Sequence, residues 1–485
     1  MSDTPTLTEV NDNFNTSPLG PRVSRSVLTA DAAVLLPLLD QQPSLLIYTR
    51  SSPHFAALRQ VNNTAIATQP LALVRPRSED EVIAIIRFCS SHKVPLAVRT
   101  GGHDQWGRSL VADGVVLDMR SFDTIDIPAH RMSARIGGGV LGGQLQKYLD
   151  ARNLCTPTGF CGTAGYVGWA AGGGYGVLQG AYGMGADQIL GARLVTADGR
   201  VVDTDVDHEL LWAVRGAGTG NFGVVVEVRV KVYPRPRVLG GFLAFPLAEL
   251  GQVFAGLEEM CQTDFPDAFS GDFLIVRMPH VGPVLMTMFS WAAKNDAEFK
   301  AGEEYLKKFS KLGTVIVNTV SETTPSGFTA ALDATNSTPQ PYHYLSRNVT
   351  SISPELAAIL AAHPPPLDFC TIVIHNAHGA AIKPNPEACF ANRVPHIVLG
   401  IGGGLKPGMS PSDPDMQTVV QWAERLGAAI TGAGLAHDMG YMNFTPPEEC
   451  DTDKFYGVKT AEALRALKKK YDGGNVFAQA YPSLA

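Results

Sequence analysis

Arg99-Thr100-Gly101-Gly102-His103 and, further on, Cys161-Gly162-Thr163-Ala164-Gly165-Tyr166-Val167-Gly168-Trp169-Ala170-Ala171-Gly172-Gly173-Gly174-Tyr175-Gly176 are the stretches whose reading decides the fold. The first closes a glycine turn with a histidine, and the second opens a glycine run with a cysteine. Each of these two side chains can form a covalent bond. Each also sits among glycines that let the backbone approach a flat, phosphate-bearing ligand, and successive N–H groups in such a turn suit a pyrophosphate. The second run is not a dinucleotide fingerprint, which needs a strand directly before it and an acidic residue about 20 positions later. No Gly-Lys-Ser/Thr follows it, so it is not a Walker loop.

Outward from the first stretch the pattern is strand, helix, strand. Leu71-Ala72-Leu73-Val74 is a short apolar run ended by Pro76, and Val94-Pro95-Leu96-Ala97-Val98 is a buried strand that delivers the chain into Gly101. Between them Ser78-Glu79-Asp80-Glu81 reads as a helix cap, with Val82, Ile85, Ile86 and Cys89 at helical spacing. Val115–Asp118 and Ser133–Gly137 are further strands, and 142–153 is a helix with Leu145, Tyr148 and Leu149 inward. Ile189 to Thr196, Val201-Val202 and Val224 to Val232 alternate as strands around an Asp198-Gly199 turn. Pro234-Arg235-Pro236 marks a boundary. Beyond it, strands such as Phe273–Val276 and Val284–Phe289 alternate with helices such as 296–311, an α+β pattern with an antiparallel sheet.

Composition narrows the function classes. The chain has 485 residues, 45% hydrophobic and 18% charged, which is globular and too long for one ordinary core. A net charge of -7, without a Lys/Arg stripe among aromatics, argues against nucleic acid. The start, Met1-Ser2-Asp3-Thr4-Pro5, has no basic segment before an apolar core, and no run of about 18 apolar residues could span a bilayer. A cytoplasmic protein is expected. Seven scattered cysteines do not make a disulfide framework. The Asn-x-Ser/Thr matches at Asn15, Asn62, Asn336, Asn348 and Asn443 are read as chance.

The two opening stretches resemble the two flavin attachment points of the berberine-bridge-enzyme-like oxidases, within the vanillyl-alcohol-oxidase superfamily. A third mark is Leu211-Trp212-Ala213-Val214-Arg215-Gly216-Ala217-Gly218-Thr219-Gly220-Asn221-Phe222-Gly223-Val224-Val225, and a fourth is the ending Tyr471-Asp472-Gly473-Gly474-Asn475-Val476-Phe477. The resemblance implies an α+β fold: a PCMH-type FAD-binding domain of two α/β subdomains over residues 66–236, after an N-terminal helical extension over 1–65. An α+β substrate domain with an antiparallel sheet follows over 237–435, and a C-terminal segment over 436–485 packs back on the FAD domain. It implies FAD bound covalently, with His103 on the methyl carbon of the dimethylbenzene ring and Cys161 on C6. Cys161 is chosen over Cys155 by its spacing to Gly165, Gly168 and Gly172-Gly173-Gly174. The cofactor-binding set implied is Arg99, Thr100, Gly101, Gly102, His103, Gly107, Cys161, Gly162, Thr163, Gly165, Gly168, Gly172, Gly173, Gly174, Gly176, Asn221, Gly223, Val225, Tyr441 and Asn443. Neutral imidazole is the nucleophile such a linkage needs, and the ordinary histidine pKa of ~6.5 makes it available.

The catalytic base is where the resemblance departs. Many oxidising relatives carry a tyrosine directly after the asparagine of a Tyr-x-Asn motif; here that position is Phe444, which accepts no proton. No carboxylate stands where a berberine-bridge-type glutamate would. His378 and Tyr441 are the candidates carried forward, against the plainer reading of His375, His378, Asp438 and Tyr441 as sheet-edge hydrogen-bonding residues. The function implied is an FAD-dependent oxidase that removes hydride from a C–H next to N or O of a bulky secondary metabolite, with or without ring closure, O2 becoming hydrogen peroxide. The alternatives are a flavin-retaining cyclase or pericyclase without net redox change and, against the pattern that Phe444 breaks, an oligosaccharide oxidase. The partners are then a small-molecule substrate and O2, with no metal, membrane or nucleic acid.

Overall fold

The computed structural model describes residues 24–261, 265–336 and 339–485; the start of the chain, the Asn15 sequon and the Ser337-Thr338 end of the Asn336 sequon lie outside the described residues. The first sheet has four strands in the order Leu46–Thr49, Ala72–Arg75, Val115–Asp118, Leu96–Arg99. The last three are parallel and the first is antiparallel to its neighbour. The helix Glu79–His92 is the crossover from Ala72–Arg75 to Leu96–Arg99, and Val115–Asp118 then pairs between those two strands. Ser78 caps it, its Oγ accepting the Glu81 N–H at 3.3 Å, while Glu79, Asp80 and Glu81 face the positive end of the helix dipole. Val82, Ile85, Ile86 and Cys89 are all buried; at about 1.5–3 kcal/mol for each large aliphatic side chain, they dock the helix on the sheet. The stretch expected as a helical extension also supplies a strand, Leu46–Thr49, because three of its four residues find cover at the sheet edge.

Charged residues close the three parallel strands. Asp118 accepts from Arg75 Nη2 at 2.9 Å and from Arg120 Nε at 2.8 Å, and Arg99 donates to the carbonyls of Leu58 and Gln60. All four side chains are buried. Asp118 offsets charge on Arg75 and Arg120, while Arg99 gives its donors to backbone carbonyls. The loop Thr100–His103 therefore departs from a locked strand end.

The second sheet is antiparallel, in the order Ile125–Asp126, Ser133–Gly137, Val224–Lys231, Ile189–Val195, Val201–Asp203. The helix Gly142–Asp150 packs on it through Leu145 and Leu149. Tyr148 is not inward as expected. It is half-buried under the Arg152 guanidinium, 3.6 Å from the ring centroid, and Gln146 takes the inward place with hydrogen bonds to Thr158 and Thr329.

A large antiparallel sheet follows, in which Arg237–Pro246, Gly282–Ala293, Phe273–Met278, Cys370–Ala377, His396–Gly404 and Tyr342–Val349 are successive neighbours. The period of two along these strands separates its faces. Leu243, Phe245, Phe273, Ile275, Leu285, Ile372 and Ile374 pack with residues of the covering helices, among them Val253, Phe309, Leu360 and Val419. Phe242, Leu274, Val276, Met286, Met288, Val373 and His375 look the other way, into a cleft shared with the first two sheets. The C-terminal helix Val458–Asp472 returns to the second sheet's core through Leu464, Leu467 and Tyr471. Among the described residues no helix is long and apolar enough to cross a membrane.

Candidate active site

The cleft has a volume of about 870 Å³ and is floored by the first two sheets and roofed by the large one. His103, Thr100, Gly101, Gly102, Cys161, Gly165, Gly168, Gly223, Val225, Tyr441 and Asn443 all line it. Gly101 has to be glycine: a Cβ there would stand 2.5 Å from the backbone of both Gly165 and Thr163, so this contact is what brings the two opening stretches together. His103 follows, its Nε2 2.6 Å from the Thr163 hydroxyl. With Nε2 engaged, Nδ1 is the ring nitrogen left for the cleft. Desolvation pushes the imidazole pKa down to about 4, so the ring is neutral and nucleophilic at cellular pH.

Cys161 opens the neighbouring turn. Burial, with the Asp333 carboxylate adding to it, pushes its thiol up to about 12. Asp333 also accepts the Gly162 N–H at 2.8 Å, which fixes this turn against the helix Pro325–Asn336. On the far side Tyr441 accepts from the Asn443 amide at 3.0 Å; burial pushes its phenol up to about 12, with Asn443 and the Tyr175 and Gly174 backbone opposing.

Several expected residues lie behind the wall rather than on it. Arg99 and Asn221 are fully buried, Asn221 donating to the carbonyls of Ala217 and Pro482. Thr163 acts through His103. Gly107 is pressed on Ile66, and Gly162 on Asp333. The run Gly172, Gly173, Gly174 and Gly176 meets protein instead of cleft: added Cβ atoms would strike Asn443, the Phe390 ring, Gly185 and the Thr158 carbonyl in turn. His378 is excluded as a base. It is buried outside the cleft, with Nδ1 3.0 Å from the Asn376 carbonyl and Nε2 2.9 Å from the Phe269 carbonyl. Conversely, Asn62, Gln105, Arg108, Ser109, Gly138 and Thr219 line the cleft without having been singled out. Three of them follow His103 within six residues, and that adjacency is the signal that could have found them.

Much of the cleft above the anchoring turns is apolar and aromatic. Phe160, Phe242, Leu274, Met286, Met288 and Val373 present hydrocarbon. Phe444 is wedged edge-on to Tyr441 and Tyr344, with ring centroids 4.9 and 5.2 Å away. Tyr342 and Tyr344 lie across Gly402 and Gly400 of the adjacent strand, where any side chain would collide with their hydroxyls. The Tyr344 hydroxyl is buried without a hydrogen-bond partner.

Residues 70–205 match the family described as FAD binding domain. Over 452 residues, 92% of this chain and 87% of the relative, the sequence is 36% identical to the FAD-linked oxidoreductase aurO of Gibberella zeae. The structure resembles 6-hydroxy-D-nicotine oxidase from Arthrobacter nicotinovorans with a TM-score of 0.79 at 25% identity, covering 90% of this chain and 96% of that one. It resembles berberine bridge enzyme from Eschscholzia californica with a TM-score of 0.78 at 17% identity, covering 91% and 97%, a likeness of fold alone. The cleft fits FAD on its own chemistry. Asn62 Oδ1, Gln105 Oε1, Arg108 Nη1 and Ser109 Oγ are buried there without partners, the unsatisfied set a ligand with phosphates and hydroxyls would complete. The chain belongs to the berberine bridge enzyme-like family of FAD-linked oxidoreductases.

Proposed function

We propose that the protein is an oxidase carrying FAD linked to both His103 and Cys161, acting on a bulky, flat, largely apolar metabolite from which it removes hydride at a C–H next to N or O. The observation that carries this reading is that His103 and Cys161 line one cleft whose roof is the apolar face of the large sheet. FAD bound there would supply a hydride acceptor that O2 can reoxidise, with hydrogen peroxide as the by-product. The chain's own residues do the rest. Gly101 and Gly165 let the two anchoring turns touch, and Thr163 sets the His103 ring. Phe160, Phe242, Met286 and Met288 shape a slot for an aromatic ring system. Methionine adapts to irregular outlines, which suits a polycyclic substrate better than a rigid, polar sugar.

Anaerobic mixing of the purified enzyme with polycyclic phenolic metabolites tests this. Bleaching of the flavin band, followed by recovery and peroxide formation on admitting air, is the expected result. Product formed without bleaching under strict anaerobiosis would replace the oxidase reading with the redox-neutral cyclase that Phe444 otherwise favours.

A further inference from the structure

We infer that His375 is the proton acceptor of this cleft, with Asp272 as the residue that positions it. The inference rests on the reading of the cleft as a site for hydroxylated aromatic substrates and supplies the base that Phe444 does not.

The sheet register makes the pair. Phe273 lies opposite Ile374 in the antiparallel pairing of Phe273–Met278 with Cys370–Ala377. One step before that pair on the first strand and one step after it on the second, Asp272 comes beside His375; the alternation turns His375 to the cleft with Leu274, Val276 and Val373, while Asp272 lies buried behind it. His375 Nδ1 is 3.0 Å from Asp272 Oδ1, with His375 only 2% exposed and Asp272 fully buried. The imidazole is stacked on Phe160, the neighbour of Cys161, with centroids 4.2 Å apart and an interplanar angle of 19°. Phe444 closes its other side at 5.9 Å. The ring is thus clamped in plane and in tautomer: Nδ1–H donates to Asp272, and the Nε2 lone pair is left over. Among the described residues nothing hydrogen-bonds Nε2. His378 and His396, by contrast, have both ring nitrogens engaged.

The chemistry follows from that tautomer. A substrate hydroxyl meeting Nε2 gives up its proton; the O–H bond breaks, an Nε2–H bond forms, and the electron pair stays on oxygen, enriching the ring that loses hydride. Asp272 pairs with the imidazolium produced, as a buried carboxylate does for a catalytic histidine elsewhere. Burial raises the Asp272 pKa, and its hydrogen bond and charge interaction with His375 oppose the rise. His378 also acts on Asp272, but three further titratable groups of the cleft are neutral acids. Burial holds Tyr344 well above its ordinary value and Tyr441 and Cys161 at about 12.

The probe for the test is p-nitrophenol, whose phenol and phenolate forms absorb at different wavelengths, bound to the flavin-loaded enzyme below the probe's own pKa. The expected result is a phenolate spectrum, with no net proton released on binding when calorimetry is repeated in buffers of different ionisation enthalpy. The proton has then moved to the protein. In His375→Gln the probe binds as neutral phenol, and in Asp272→Asn its ionisation shifts back by about tenfold or more. A phenolate spectrum with one proton released to buffer in the wild type, or one that persists in folded, flavin-loaded His375→Gln, overturns the inference but leaves the oxidase reading intact. Failure of the probe to bind at all removes phenols as the substrate class, and the inference with it. The wild-type calorimetry stands even if a variant does not fold.

Discussion

The Thr163 hydroxyl lies 2.6 Å from Nε2 of His103, across the join between the two glycine stretches that Gly101 and Gly165 bring into contact. That contact selects which imidazole nitrogen faces the cleft. Thr163→Val removes the selection without removing the nucleophile. The fraction of flavin that stays with acid-precipitated protein is expected to fall severalfold after a fixed maturation time. An unchanged fraction would show that the tautomer is set elsewhere.

Cys161→Ala is expected to leave the precipitated protein yellow through His103 while changing the absorption spectrum, because a thioether substituent on the ring is lost. The double variant with His103→Ala should release all of its cofactor. Cofactor released from the wild type by acid would defeat both linkages.

Gly101→Ala places a methyl group 2.5 Å from two backbone atoms that cannot rotate aside. Overpacking of this kind costs about 1–3 kcal/mol. A lowered thermal midpoint with weakened flavin retention is the expected pair of changes, read by differential scanning calorimetry and by the ratio of flavin to protein absorbance.

The buried cluster at the ends of the parallel strands sets an acid limit. Burial opposes the charge on Asp118, yet Arg120 and Arg75 outweigh it and hold the carboxyl well below the usual range. Its contribution is complete above the unfolded value of ~3.9 and is lost as the pH falls toward the folded one. Asp118→Asn leaves two buried guanidinium groups short of a counter-charge, which costs about 3–5 kcal/mol. Urea unfolding at neutral pH measures it; a loss under about 1 kcal/mol would mean that the cluster relaxes to solvent.

His396 predicts a second pH effect with the opposite charge logic. Its Nδ1 donates to the Val394 carbonyl at 2.6 Å and its Nε2 accepts from the Tyr175 hydroxyl at 2.5 Å, and burial pushes its pKa down to about 4. Above about pH 6.5 the ring is neutral in both folded and unfolded chains. Below that the unfolded chain binds a proton that the folded site refuses, so stability falls down to about pH 4, by about 3 kcal/mol at most. In His396→Gln the urea midpoint should vary less between pH 7 and pH 4.5; an equal slope would assign the effect to other groups.

Local chemistry is what makes much of the fold legible. Ser78 with its three following acids, the helical spacing of Val82 to Cys89 and the apolar run into Gly101 need no distant partner, and the structure has them where the pattern puts them. Tyr148 shows where periodicity stops: an amphipathic ring at the edge of the buried stripe is settled by Arg152 and by the cover that Thr158 and Thr329 give Gln146. The run from Gly172 to Gly176 shows another limit. Glycine signals close approach, but the approaching partners are Asn443, Phe390, Gly185 and Thr158, the first two of them remote in sequence.

By itself the sequence determined the cofactor class and exposed the Phe444 gap, and it put forward His103 and Cys161 as the anchoring side chains, because short motifs carry these readings. Only the tertiary structure decided what fills the gap. Asp272 and His375 are 103 residues apart and neither belongs to a motif. Their pairing exists because an antiparallel register sets two strands side by side, which leaves His375 on the cleft and Asp272 buried behind its imidazole.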